Sequence, residues 1–162
     1  MRPYGPASSS TTLSIDLEKR LQPNSQPGRI VPERRSRRLE VRLTRTAQRD
    51  IKASLNWSRK EFGETAAKRY QALIKQALRD IGADPERPGS MERPEILIEG
   101  ARTYHLEFSR RRVKGHSVKA PRHFLLYRRR EVRVIEVGRV CHDSRDLARH
   151  VPEEYRRGPR LL

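Results

Sequence analysis

Between Thr44 and Asp84 the apolar residues return every three or four positions, and a single glycine, Gly63, interrupts the run near its middle. That spacing is the signature of two amphipathic helices placed end to end. Thr44 stands where an N-cap hydroxyl is needed, and Ala47, Ile51, Leu55 and Phe62, with small Ser54 and Ser58 between them, make one face. Gly63 predicts a left-handed C-terminal cap. Ala66, Ala67, Tyr70, Leu73, Ile74, Ala77, Leu78 and Ile81 make a second, broader face, which Gly82 and Asp84-Pro85 bring to an end. Helices joined this tightly bury both faces by folding back on one another. Neither sustains a heptad beyond its own length, which excludes a long coiled coil.

The flanking segments change period from 3.6 to two. Leu39, Val41 and Leu43 alternate with Glu40 and Arg42, predicting a strand before the first helix. Beyond a Pro-rich loop at residues 85–94, Tyr104, Leu106 and Phe108 alternate with Thr103, His105 and Glu107. Two further strands are predicted at residues 122–128 and 132–141, joined by a hairpin turn at Arg128-Arg129-Arg130-Glu131. The last carries apolar residues on both parities, as a central strand covered on both faces does. A short helical turn is expected at residues 143–150. The fold class predicted is therefore α+β: an N-terminal strand, an antiparallel helical hairpin, then a three-stranded, mainly antiparallel sheet.

Around this domain, residues 39–151, the composition changes. Residues 1–38 are rich in Ser, Thr, Pro and Arg and read as a disordered leader; residues 152–162 read as a basic tail. Only 34% of the chain is hydrophobic and 35% is charged, so the apolar residues must be concentrated in the domain. Lysine and arginine number 37 against 20 acidic residues, and the formal charge of +17 attracts polyanions: DNA, RNA or an acidic protein. A single cysteine, Cys141, excludes an internal disulfide, fits the cytoplasm, and sits in an apolar run as a small buried hydrophobe would. No apolar run reaches the roughly 18 residues of a membrane span, and no signal peptide is evident, so the expected location is cytoplasmic without membrane association. His105, His116, His123, His142 and His150 match no zinc spacing, and no phosphate-binding glycine loop, paired-carboxylate motif or nucleophile elbow is present. Neither metal nor cofactor is expected.

Several segments, in this order, resemble the ParE/RelE toxin superfamily. They are Val41-Arg42-Leu43-Thr44, Glu61-Phe62-Gly63, Tyr70, Gly100-Ala101-Arg102-Thr103-Tyr104, residues 121–128, and Val137-Gly138-Arg139-Val140-Cys141-His142 followed by Asp146-Leu147. The resemblance implies a toxin held inactive by a cognate acidic antitoxin whose C-terminal segment wraps it. It also implies one of two targets: DNA gyrase for ParE-like members, or mRNA on the ribosome for RelE-like members. Cys141-His142 followed by Ser144, Arg145 and Asp146-Leu147 is more similar to the gyrase-directed branch, in which the toxin acts by binding and has no catalytic residue.

On that reading Trp57, Tyr70, Arg102, Tyr104 and Arg139 are candidates for antitoxin contact. Trp57 lies off the main helical stripe, where it either receives a partner side chain or shields the hairpin from the sheet edge. Target contact falls to the basic runs Arg110, Arg111, Arg112, Lys114 and Arg128, Arg129, Arg130, which are equally at home as solvated surface. The alternative is a metal-independent mRNA interferase with His142, Arg102, Arg139, His123 and Tyr127 as acid, base and phosphorane-stabilising groups. His142 closes a strand, where RNA-cutting relatives place a catalytic histidine and where structural histidines also occur. A third possibility is a nucleic-acid-binding module without toxicity.

Overall fold

The computed structural model describes residues 38–115, 118–151 and 153–156. The expected leader, apart from Arg38, and most of the basic tail lie outside the described residues, as does His116. The elements are β1 (Glu40–Leu43), α1 (Arg45–Phe62), α2 (Glu64–Ala83), β2 (Ser90–Glu92), β3 (Ala101–His105), β4 (His123–Glu131), β5 (Val134–His142), α3 (Leu147–His150) and α4 (Glu153–Arg156). Two 3-10 turns, Pro94–Ile96 and Leu106–Arg112, flank β3. No helix among the described residues is long and apolar enough to cross a membrane.

The helical hairpin forms where the periodicity places it. The Thr44 hydroxyl accepts the Ala47 N–H at 3.1 Å, satisfying one of the amides that the first helical turn leaves unpaired. Gly63 departs from the left-handed cap expected: its φ of 86° and ψ of 174° fall in a region essentially reserved for glycine, and it serves both helices as end and start. One residue in that conformation reverses the chain without a loop.

The sheet has five strands in the order β1-β5-β4-β3-β2. The last four form an antiparallel meander, and β1 joins β5 in parallel with Val41 opposite Ile135. β5 is thus flanked on both sides, as its two-sided apolar pattern requires.

Three expectations are corrected. The loop at residues 85–94 contains β2, whose three residues are too short and too polar for alternation to show. The strand predicted through Phe108 stops at His105, where the His105 imidazole accepts the Glu107 N–H at 3.1 Å and the chain rolls inward, burying Leu106 and Ser109. The hairpin turn lies at Val132-Arg133, so Arg128, Arg129 and Arg130 belong to β4.

Each face of the sheet has its own cover. On one side Ala47, Leu73, Ile74, Ala77 and Ile81 of the helices meet Leu125, Tyr127, Ile135 and Val137. Each fully buried leucine, isoleucine or valine among them stabilises the fold by about 1.5–3 kcal/mol. On the other side Ile96, Ile98, Val151 and Tyr155 pack with Ala101 and Leu126, so α4 anchors the second face. The approach requires Gly138: a Cβ there would stand 2.7 Å from the Tyr155 ring. Cys141 is buried, and burial pushes its thiol up to about 11, leaving a small packing residue without thiolate character.

Candidate functional site

The β4–β5 register sets His123 opposite His142, with the rings edge to face at 5.2 Å. Tyr70 of α2 donates its hydroxyl to His123 Nδ1 at 2.5 Å, and Ser54 of α1 lies 3.3 Å from Nε2. The Ser54 hydroxyl donates to the Asp50 carbonyl, so its oxygen is left to accept from His123 Nε2–H, a tautomer consistent with both contacts. Burial, aided by the neighbouring His142, pushes His123 down to about 4, and burial raises Tyr70 to about 12. His123 is therefore a neutral imidazole with both nitrogens engaged at neutral pH. His142 Nδ1 accepts the Ser144 N–H at 3.2 Å, while its other nitrogen is the one left for an outside group. Asp143, directly after β5, pairs with Arg122 at 2.9 Å and lies 4.0 Å from His105, whose pKa burial lowers. Among the described residues no group of three or more His, Cys, Asp or Glu is arranged to hold a metal ion.

The other ribonuclease candidates do not converge on this cluster. Arg102 donates to Ser90 Oγ at 2.7 Å and pairs with Glu92, and Tyr127 bonds the same Ser90 and the Pro85 carbonyl. Arg139 lies in a third place, held by Asp50. Tyr127 is fully buried and is a packing residue, and so is Tyr104, whose hydroxyl meets Ser109 at 3.1 Å. Tyr104 therefore presents no surface to an antitoxin, because β3 turns it toward the helices. Tyr70 is half-buried against His123, whereas Trp57 is 58% exposed and meets the equally exposed Phe62 edge-on at 5.4 Å. Trp57 is thus open to solvent and not a shield for the sheet edge.

The basic runs divide in the same way. Arg128 is buried under α4, donating to the Tyr155 carbonyl at 3.0 Å and pairing with Glu136, which also binds Arg130. Arg110 pairs with Glu107, and Arg112 with the buried carboxylate of Asp80. Arg111, Lys114 and Arg129 remain exposed without an ion pair among the described residues. Four of the seven basic residues are thus paired with carboxylates of the same chain, and of these only Arg128 is buried.

Sequence reasoning missed a groove between β1 and α2. Leu39, Val41, Leu43, Leu78 and Gly82 line an opening of about 270 Å3, with Arg38 and Arg79 at its rim. Gly82 lets the strand approach, since a Cβ there would lie 2.9 Å from Val41 Cγ2. β1 is an edge strand, bonded to β5 on one side only among the described residues, so the groove borders unpaired backbone. The signal was present as the alternation of Leu39, Val41 and Leu43. Only the position of α2 reveals that these side chains are incompletely covered.

The sequence profile described as ParE toxin of type II toxin-antitoxin system, parDE, matches residues 41–147, from β1 to the first residue of α3. No curated protein shows a significant match. Among solved structures, the chromosomal ParDE toxin-antitoxin system from P. aeruginosa aligns with 15% identity and a TM-score of 0.47, covering 65% of this chain and 97% of that one. The profile spans the hairpin, the sheet and the histidine cluster together, and on that match the chain belongs to the ParE toxin family of type II toxin-antitoxin systems.

Proposed function

We propose that the protein acts in the cytoplasm by binding and inhibiting DNA gyrase, and that an acidic antitoxin segment silences it by occupying the β1–α2 groove. The groove carries the second half of this reading: apolar walls from Leu39, Val41, Leu43 and Leu78, a cationic rim from Arg38 and Arg79, and an open strand edge. An amphipathic acidic segment would bury its apolar side there, pair its carboxylates with the arginines, and add backbone bonds to β1. Arg111, Lys114 and Arg129 are the exposed candidates for contact with the target, and Trp57 is the exposed candidate for contact with the antitoxin.

The test is co-expression with the cognate antitoxin, to be sought as a short acidic protein encoded in the neighbouring gene. Wild-type toxin should arrest growth and be rescued. The Leu78→Glu variant, shown by circular dichroism to be folded, should arrest growth and escape rescue. Full rescue of that variant would remove the groove from the account.

A second reading, cleavage of mRNA, is favoured by one observation: His123 and His142 stand together beside Tyr70. On this reading His142 exchanges the proton and His123 and Tyr70 position it. His142→Ala would then abolish RNA cleavage without loss of fold, whereas under the gyrase reading it leaves inhibition in place.

A further inference from the structure

The outer face of α1 carries a row of cations that the fold does not use. Arg45, Arg49, Lys52 and Lys60 are all exposed. At 100° per residue they fall within one narrow sector of the helix, and at 1.5 Å per residue the row is about 22 Å long. Among the described residues none of the four pairs with a carboxylate. Arg49 makes only a 3.4 Å contact with the Thr46 hydroxyl, and the acidic residues of α1 are Asp50, committed to Arg139, and Glu61, which projects from the opposite side. Between them in the same sector lie Gln48, whose amide nitrogen bonds the Leu43 carbonyl, Arg59, which is paired with Glu64, and Asn56, whose amide N–H groups suit phosphate oxygens. Arg45, Gln48, Arg49 and Lys52 border a shallow surface depression.

We infer that this face of α1 binds the phosphate backbone of duplex DNA without reading sequence. A row of unpaired like charges raises the energy of the free protein and is relieved by a polyanion, with release of the counterions condensed on it. The geometry favours a duplex over the other polyanions. An acidic peptide that folds on binding needs apolar anchors at helical spacing, and the row contains none. A single strand needs aromatic platforms for its bases, and Trp57 points away from the row with its ring engaged by Phe62. What remains is a straight, convex, hydrophilic edge that matches a regular backbone. The inference is independent of the gyrase and antitoxin readings and uses different residues.

The test compares full-length proteins by fluorescence anisotropy on a DNA duplex of about 20 base pairs across a salt series. One variant carries Arg45→Gln, Arg49→Gln, Lys52→Gln and Lys60→Gln. A second removes the same charge elsewhere, through Lys68→Gln, Lys75→Gln, Lys119→Gln and Arg133→Gln. All eight positions are exposed, and circular dichroism and melting check that both variants fold. The row variant should lose at least about tenfold in affinity near 0.1 M salt, and its log K against log salt should flatten by about 3 to 4, close to 0.9 per phosphate contact. The second variant should keep most of its affinity and slope, and two unrelated duplexes should bind alike. Equal losses in both variants would show that only net charge matters and would overturn the inference. An unchanged row variant, or one that loses polyglutamate binding and keeps DNA binding, would overturn it too.

Discussion

Asp50 of α1 holds Arg139 of β5 by two bonds, from Nε at 2.7 Å and Nη2 at 3.1 Å, and accepts the Val140 backbone N–H at 3.0 Å as well. The pair lies 89 residues apart in the chain and fixes the helical layer to the interior of the sheet. With side-chain exposures of 14% and 17%, neither charge has water enough to replace the other. Arg139 is thus a framework residue that cannot reach a partner without releasing α1.

Asp50→Ala should therefore destabilise the protein by about 2–4 kcal/mol, because it strands the guanidinium and an amide in a poorly solvated site. Urea unfolding at pH 7 reads this directly. Replacing both residues, Asp50→Ala with Arg139→Met, should cost less than the sum of the single changes.

His123 makes stability depend on pH. Its folded pKa, about 4, lies below the ordinary 6.5, so between those values the unfolded chain binds the additional proton. Stability therefore falls as pH drops from about 6.5 toward 4, and below that no further loss arises from this group. His123→Gln, which cannot take up the proton, should show a shallower decline in urea unfolding between pH 7 and 5, where most carboxylates remain ionised. Parallel declines for the two proteins would remove His123 as the cause.

Gly138 and Tyr155 meet so closely that any side chain at 138 displaces the ring. Gly138→Ala should cost about 1–3 kcal/mol by overpacking. Adding it to Tyr155→Ala, which empties that space, should cost much less. Chemical denaturation of the two single variants and the double variant measures the coupling.

Gly63→Ala isolates backbone strain, since an added Cβ there would meet nothing within 4 Å while φ stays at 86°. The expected loss is about 1–3 kcal/mol. Gly63→Asn should melt no higher than Gly63→Ala, because asparagine's tolerance of positive φ is confined to the left-handed helical region and ψ here is 174°.

The helical hairpin could be read from the chain because its period persists through 18 residues of α1 and 20 of α2, and local packing agrees with it throughout. β2 could not, because Ser90-Met91-Glu92 has neither length nor alternation and becomes a strand only when β3 offers its edge. The meeting of His123 with His142 depends on a pairing register that includes two irregularities in β4, information that resides in the turn and not in either histidine. The burial of Arg128 is equally invisible in the chain. Arginine in a basic run has the composition of a surface, and only Glu136 and Tyr155, brought from elsewhere in the chain, make it an interior residue.

The most direct measurement is gyrase supercoiling in the presence of the purified full-length chain, with a translating ribosome reaction sampled in parallel for mRNA integrity. Inhibited supercoiling with intact mRNA is the expected result. Normal supercoiling with cleaved mRNA would contradict it and would move the function to the His123–His142 cluster.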